Sequence, residues 1–310
     1  MITYNNQIPL QEFINNAPNG AEICLPEGSY YTPEPLMIEK ELTFIGHGKN
    51  TYFYTNQPNA IFFSVIHEKL TIKNLLIDAQ VAGSVGIQKI CPQTDEMYFD
   101  LLVENVAFKG FGKGIDIAGA REPIIDKCTF EMAGTCVEML HTSNPQISNS
   151  LFKAWGIKAA AIKMLGQMYN PYGCGLRAVH NTVIGFQTGI EVAETDYADI
   201  SHNMIDYCDL PILVNTQDQM LIAHNYIGSR GAKGIDIMNN GLSEYSQHIK
   251  ILGNDIVTYS TGAAQRTGIS AEKVHGLHIK DNTIHFWNQK GIDLKNCLAV
   301  FEADNYQLGV

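Results

Sequence analysis

An asparagine, or a residue standing in its place, follows a short apolar run at ten places along this chain. Successive places lie 31, 22, 22, 32, 22, 22, 29, 28 and 23 residues apart, so insertions of six to ten residues interrupt a basic period of 22. A fixed period of this size is typical of a solenoid, in which each repeat packs only on its neighbours. The ten places are Asn74, Asn105, Lys127, Asn149, Asn181, Asn203, Asn225, Asn254, Asn282 and Asn305.

Each repeat predicts strands and no helix. Residues 101–116 read Leu-Leu-Val-Glu, Asn105, Val-Ala-Phe, a turn with glycine, and then Gly-Ile-Asp, with apolar and polar residues alternating. Three short strands per turn, stacked in parallel about 4.8 Å apart, make an all-β fold, the right-handed parallel β-helix, here with about ten coils. Asparagine tolerates the left-handed backbone conformation, so it suits the corner between two of these strands, and its amide can bond to the asparagines above and below in a structural ladder.

Length and composition predict a single β-helix domain over residues 1–310. A chain of 310 residues that is 45% hydrophobic can bury a large core, and no linker divides it. Residues 1–20 form the predicted amino-terminal cap, because Leu10, Phe13, Ile14 and Ala17 share one helical face. Residues 21–297 form the coils, and residues 298–310 form a last partial coil without a matching cap. Another subunit, as in a homotrimer, a further domain or its own last residues would cover that end.

The formal net charge of −11 argues against nucleic acid or an anionic membrane as the main partner. The sequence shows neither a transmembrane run nor a secretory signal, which predicts a cytoplasmic or virion-associated protein unless a leader was removed. The seven cysteines form no CxxC pair and are expected to be buried small residues or free thiols.

Residues 10–53 carry a family resemblance. They include Leu-Gln-Glu-Phe-Ile-Asn-Asn-Ala-Pro-Asn-Gly-Ala-Glu-Ile-Cys-Leu-Pro-Glu-Gly-Ser-Tyr and Leu-Thr-Phe-Ile-Gly-His-Gly, and the asparagine-punctuated coils follow. This pattern resembles the pectin-lyase-like right-handed β-helix superfamily, which includes pectate lyases, polygalacturonases, alginate epimerases, phage tailspikes and NosD-type repeat proteins. The resemblance implies the fold and a carbohydrate partner, but the fold hosts several chemistries and some noncatalytic members.

The catalytic signatures of those families are mostly missing. The sequence lacks the Asn-Thr-Asp, Asp-Asp and His-Gly set of polygalacturonases, the Asp-Pro-His-Asp of epimerases and the Arg-x-Pro-x-x-Arg of pectate lyases. A candidate site must therefore be inferred from the surface of the coils.

The resemblance implies that substrates lie on the sheet that follows the long third turn, which here holds the Gly-Ile-Asp-Ile segments. Alternate isoleucines point inward, so the residue between them points outward. Aligning the coils predicts one outward column, in which Lys158 is an alternative to Lys163. Its members are Gln88, Asp116, Glu138, Lys163, Glu191, Leu213, Asp236, Ser270 and Asp293.

The acids of this column are the candidate catalytic groups. Asp116 and Glu138 on adjacent coils would lie about 5 Å apart, and Glu191 and Asp236 two coils apart would lie about 10 Å apart. These separations resemble those of retaining and inverting glycosidases, respectively. Close like charges would also raise the pKa of one acid, as a general acid requires. The alternative is that these side chains are polar because they face water.

Inserted loops are expected to wall the same sheet and to supply substrate-binding groups. Residues 165–175 contain Tyr169 and Tyr172, residues 239–247 contain Tyr245, and residues 259–267 contain Arg266. Exposed aromatic rings could stack on sugar rings, although they could equally cover apolar edges.

Three histidines, His180, His202 and His224, each precede a repeat asparagine at intervals of 22 residues. Stacked in line about 5 Å apart, they converge poorly on one metal ion, so the prediction is a solvent-facing stack and no metal site.

Two main function classes follow. The first is a carbohydrate-active enzyme, a glycoside hydrolase, polysaccharide lyase or epimerase, that acts on a polysaccharide or oligosaccharide through paired carboxylates. No cofactor is predicted, except calcium if the substrate is a uronate polymer. An acidic floor would repel a uronate polymer unless calcium or Lys163 and Arg266 offset that charge, so a neutral or mixed glycan is the easier substrate. The second is a noncatalytic rod such as a virion tail fibre or a surface-binding module. An intracellular small-molecule enzyme on this fold is a third alternative.

Overall fold

A computed structural model describes residues 1–66, 68–90, 101–110, 112–154, 159–166, 175–240, 244–259, 266–288 and 290–309. The chain divides into two compact units, Met1–Leu151 and Phe152–Val310. Each unit is described by itself, and the single-domain assignment stays a prediction. The strand Leu151–Ala154 contains the boundary between the units.

The first unit stacks its strands in parallel in three sheets. Sheet 1 contains Leu36–Ile38, Ile61–Ile66, Val85–Ile90, Lys113–Ala118 and Val137–Leu140. Sheet 2 contains Ile2–Thr3, Ala21–Cys24, Leu42–Ile45, Ile124–Asp126, Gln146–Ser148 and the first halves of Leu70–Ala79 and Leu101–Gly110. Sheet 3 contains Gly28–Tyr31, Thr51–Tyr54, Thr129–Met132 and the second halves of those two long strands.

The second unit repeats this arrangement. Its sheet 1 contains Ala160–Leu165, Lys233–Met238, Thr267–Glu272, Lys290–Lys295 and the first halves of Thr188–Ser201 and Leu210–Ala223. Sheet 2 contains Gly175–Val179, the second halves of those long strands, Ile249–Leu252, His278–Lys280 and Phe301–Ala303. Sheet 3 contains Thr182–Ile184, Met204–Cys208, Tyr226–Ser229, Asp255–Thr258, Thr283–Trp287 and Tyr306–Gly309. A separate parallel pair joins Ser246–Gln247 to Val274–His275.

Both units are right-handed parallel β-helices, as predicted. Consecutive strands of a sheet belong to consecutive coils, so inward side chains of equal register stack along the core. Ile115 pairs with Val137 in the first unit, Ile190 pairs with Ile212 in the second, and all four side chains are fully buried. This continuous burial of apolar area is the main stabilising contribution of the fold.

A short helix, Leu10–Asn16, packs at the amino-terminal end of the first unit, inside the predicted cap. Ile14 is buried, and the Phe13 ring meets Tyr4 edge to face with centroids 5.3 Å apart. The Gln11 amide accepts a hydrogen bond from the Met37 amide N–H at 2.8 Å and donates to the Met37 carbonyl at 3.1 Å. The helix therefore satisfies backbone groups of the strand Leu36–Ile38 that a sheet edge would leave unpaired. A 3₁₀ turn, Gly48–Asn50, is the other described helical segment of this unit.

The repeat asparagines occupy two different positions, which corrects the prediction that each asparagine takes the left-handed corner. In the first unit the repeat residue does have positive φ, as in Asn74 at 56° and Asn105 at 54°. In the second unit the preceding residue takes that conformation, as in His202 at 57° and Asp281 at 57°. The repeat asparagine of the second unit, such as Asn225, is the next residue along the chain, and its side chain is buried.

The stacked asparagine amides of the second unit bond to one another, as predicted, and form what we call the asparagine ladder, buried except for the half-buried Asn305: Asn181, Asn203, Asn225, Asn254, Asn282 and Asn305. The amide of Asn203 donates to the side-chain oxygen of Asn225 at 3.0 Å, and the same oxygen accepts the backbone N–H of Asn203 at 2.9 Å. The amides from Asn203 to Asn305 also donate to strand carbonyls, so the ladder satisfies backbone groups at the corner between sheets 2 and 3.

No described helix is long and apolar enough to cross a membrane. Among the described cysteines, Cys128, Cys136 and Cys208 are buried free thiols, and Cys24 and Cys297 are partly exposed free thiols. Cys91 and Cys174 lie outside the described residues.

Candidate functional site

The predicted outward column lies on sheet 1, and the strand register confirms its alignment within each unit. In the first unit, Asp116 pairs with Gln88 on one side and Glu138 on the other. In the second unit the pairing runs through Lys163, Glu191, Leu213, Asp236, Ser270 and Asp293 without a slip. The structure thus places Lys163 in the column, and the alternative, Lys158, lies outside the described residues.

Each aspartate of the outward column is paired with a lysine three residues before it, which was not predicted from the sequence. Lys113 bonds Asp116 at 3.2 Å, Lys233 bonds Asp236 at 2.8 Å and Lys290 bonds Asp293 at 3.0 Å. The sequence carries the signal, because the tetrapeptide Lys-Gly-Ile-Asp occurs at 113–116, 233–236 and 290–293. The glycine is required by packing, since a Cβ on Gly114 would lie 2.6 Å from the Cys136 carbonyl oxygen and 2.8 Å from the Phe130 ring.

The pair in the first unit differs from the arrangement that the sequence predicted. Lys113 forms ion pairs with both Asp116 and Glu138, so an ammonium group lies between the two carboxylates. Partial burial lowers the pKa of Lys113, but hydrogen bonds and charge from Glu138 and Asp116 outweigh it and raise the pKa. Lys113 therefore offsets the repulsion between the two carboxylates on which the prediction of a general acid rested.

Glu191, Leu213 and Asp236 form what we call the Leu213 floor in the second unit. Leu213 pairs in register with both acids, which places their backbones two strand spacings apart, about 10 Å. The acids differ in environment. Asp236 is only 6% exposed and is held by Lys233, whereas the half-buried Glu191 carboxylate has no ion pair or side-chain hydrogen bond within the described residues.

The loop residues lie at opposite ends of the strands of sheet 1. Arg266 directly precedes Thr267–Glu272, and its backbone N–H donates to the Asn288 side chain at 2.6 Å. Tyr245 follows Lys233–Met238 and directly precedes Ser246–Gln247, on the way to sheet 2. Both residues are half-buried. Tyr169 and Tyr172 lie outside the described residues, and substrate binding by all four stays a prediction.

The three corner histidines stack in line, as predicted. Neighbouring rings of His180, His202 and His224 have centroids 5.1 Å apart and planes 16° and 21° from parallel. All three are exposed, and their backbones have positive φ of 56° or 57°. In the part of the chain that the structure describes, no group of three His, Cys, Asp or Glu side chains is placed to hold a metal ion.

Comparison with known proteins identifies the fold. A family model described as "Right handed beta helix region" matches residues 93–296. No curated protein matches the sequence.

Three solved structures are similar at low identity. PfbA, a surface adhesin of Streptococcus pneumoniae, has a TM-score of 0.69 and 14% identity over 96% of this chain and 86% of its own. The A-module of the mannuronan C-5 epimerase AlgE6 from Azotobacter vinelandii has a TM-score of 0.62 and 13% identity over 94% of this chain and 90% of its own. DFA-IIIase from Arthrobacter chlorophenolicus A6, a C387A mutant in complex with DFA-III, has a TM-score of 0.60 and 13% identity over 93% of this chain and 76% of its own. Identities this low establish the fold alone.

Proposed function

We propose that this chain, which belongs to the right-handed β-helix family, binds an oligosaccharide or polysaccharide on the Leu213 floor and transforms it with Glu191 and Asp236. The observation that carries the proposal is the register, which sets an apolar side chain between two carboxylates on one face of sheet 1. A sugar ring has an apolar C–H face that fits a leucine side chain, and its polar edges would then reach the acids.

The different environments of Asp236 and Glu191 suit two different catalytic roles, a general base and a proton donor. Asp236 accepts a hydrogen bond from the Lys233 ammonium, and a carboxylate held in this way suits a general base. Glu191 has no such partner within the described residues and would serve as the proton donor. A separation of about 10 Å lies near the upper end for inverting glycosidases, in which a water molecule fits between the base and the sugar. Elimination and epimerisation also use an acid and a base, so the proposal covers cleavage and epimerisation alike.

The acidic floor favours a neutral or mixed glycan. Lys233 balances the charge of Asp236, so the Glu191 carboxylate is the group that would repel a uronate at the reacting ring, and Lys163 on the neighbouring strand would offset part of that charge. A uronate substrate would need calcium or these lysines to offset the repulsion, which makes calcium dependence a test of substrate charge.

A noncatalytic glycan-binding module is the second candidate. Lys113 bridges Asp116 and Glu138, an arrangement typical of structural ion pairs on a solvent-facing sheet. If sheet 1 carries only such pairs, the chain would bind a glycan without changing it, and the structural similarity to a surface adhesin is consistent with that alternative.

The test is a screen of the purified protein against neutral, mixed and uronate polysaccharides, with and without calcium. Reducing ends report hydrolysis, absorbance of unsaturated products reports elimination, and NMR of the polymer reports epimerisation. The expected result is turnover of at least one glycan and its loss in Leu213→Asp, which adds a charge to the floor while Leu213→Met keeps it apolar. Binding without any product would favour the noncatalytic module, and neither binding nor turnover on the panel would reject the proposal.

A further inference from the structure

A second surface of the second unit has the composition of a saccharide site, and it lies on sheet 2, away from the Leu213 floor. An open groove of 760 Å³ crosses the strands that contain Tyr197, Gln219 and Lys250. Its floor is apolar, from Leu221 and Leu252. Its remaining lining residues are Ala198, Met220 and His248.

The Tyr197 ring is supported from the neighbouring coil. Tyr197 pairs in register with Gly175, and a Cβ at Gly175 would lie only 2.1 Å to 2.6 Å from three atoms of the ring. The ring therefore covers the glycine, and the residue still exposes 43% of its surface. A tyrosine held against a sheet in this way presents a rigid aromatic surface at low entropic cost.

The charges at the groove leave one cation without a partner. Of the acids on the neighbouring positions, Asp199 lies 3.9 Å from Arg177, and Asp218 lies 3.8 Å from His248, which carries a charge only when protonated. Within the described residues the exposed Lys250 ammonium has neither an ion pair nor a hydrogen bond, and its register neighbours are Leu221 and His278. A ligand that fills the groove can therefore bring a negative charge to Lys250.

We propose that this groove binds an acidic saccharide, with one sugar ring stacked on Tyr197 and a sugar carboxylate paired with Lys250. Tyr197 and Lys250 lie two coils apart, a rise of about 10 Å, so a chain of two or three sugars spans them. The apolar floor and the Gln219 amide match the alternating C–H faces and hydroxyl edges of such a chain. Because the Leu213 floor favours neutral sugars, the two surfaces together would select a glycan of mixed charge.

The experiment is isothermal titration calorimetry of the full chain with trigalacturonate and, as a matched neutral probe, its methyl ester. Tyr197→Ala should weaken trigalacturonate binding roughly tenfold, and Tyr197→Phe should retain wild-type affinity because the ring remains. Lys250→Gln should weaken binding of the acid about fivefold and abolish the preference for acid over ester, whereas the same change at exposed Lys49 in the first unit should do neither.

The double variant Glu191→Gln, Asp236→Asn separates this proposal from the proposed function. Trigalacturonate should bind this variant with wild-type affinity, even if turnover is lost, because the groove lies on sheet 2. Three results would overturn the inference: no trigalacturonate binding, affinity unchanged in both Tyr197→Ala and Lys250→Gln, or equal affinity of wild-type protein for acid and ester. Circular dichroism and thermal unfolding of each variant establish that it is folded.

Discussion

Replacing Asn225 by alanine should destabilise the second unit far more than a change at the exposed residue beside it. The Asn225 side chain makes four hydrogen bonds. Its oxygen accepts the backbone N–H of Asn203 at 2.9 Å and the side-chain amide of Asn203 at 3.0 Å, and its own amide donates to the Ile200 carbonyl and the Asn254 side chain, both at 2.9 Å.

The expected loss in the free energy of unfolding depends on which groups are left without a hydrogen-bond partner. The Asn203 side-chain amide keeps its bond to the Ala178 carbonyl, and the Asn254 oxygen keeps the backbone N–H of Asn225. The Asn203 N–H loses the bond that Asn225 supplied, whereas the Ile200 carbonyl loses one bond but lies in a strand that stays paired with the next coil. An unsatisfied buried backbone group costs about 1–3 kcal/mol, so the Asn203 N–H alone predicts a loss of about 1–3 kcal/mol in the free energy of unfolding.

The assay is urea unfolding followed by circular dichroism, with His224→Asn as the matched control. His224 is exposed with φ of 56°, a conformation that asparagine tolerates, so the control should lose less than about 1 kcal/mol. Stacked repeats can unfold in steps, so hydrogen exchange of the Asn203 amide supplies a local measurement. A loss in Asn225→Ala no larger than that of His224→Asn would mean that the ladder hydrogen bonds do not stabilise this unit.

Two further predictions concern titrating groups. The raised pKa of Lys113 means that its ion pairs with Asp116 and Glu138 stabilise the protein below the unfolded pKa of about 10.4, and that this contribution is lost as pH rises through the higher folded value. Lys113→Met should therefore lower the free energy of unfolding in urea at pH 8 by at most about 1 kcal/mol, because the side chain is partly exposed, and the difference from wild type should shrink as pH rises above about 10.4; a difference that grows with pH would contradict this. Burial raises the pKa of the Cys128 thiol to about 12, so a thiol reagent at pH 8 should modify Cys128 only in urea, as mass spectrometry of its peptide would show; equal labelling of the native protein would contradict this burial.

The sequence predicted the register of the outward column because a strand slip of one residue would move every isoleucine out of the core. Asp236 and Asp293 could therefore be assigned to the same face from spacing alone. The position of the repeat asparagine could not be assigned in the same way, since asparagine suits both a left-handed corner and a buried ladder. The distinguishing signal is the preceding residue, which in the second unit is histidine, glycine or aspartate, all of which tolerate positive φ.

Two features were harder to predict from the sequence. Lys113 and Asp116 lie three residues apart, which in a regular strand would place them on opposite faces. The buried Gly114 and Ile115 between them change that alternation and bring both polar side chains outward. Tyr197 becomes a supported ring only because Gly175 of the preceding coil lacks a side chain, a relation between coils that no local pattern records.

The proposed function requires that Glu191 as proton donor and Asp236 as general base act together across Leu213. The most direct measurement compares turnover by Glu191→Gln and Asp236→Asn with turnover by Glu302→Gln, an exposed control on sheet 2, using a glycan that the wild-type protein transforms. Loss of a general acid or base predicts that each of the first two variants is about 10²- to 10⁴-fold slower, with glycan affinity and folding retained and the control unchanged. Wild-type turnover in either Glu191→Gln or Asp236→Asn would contradict the claim.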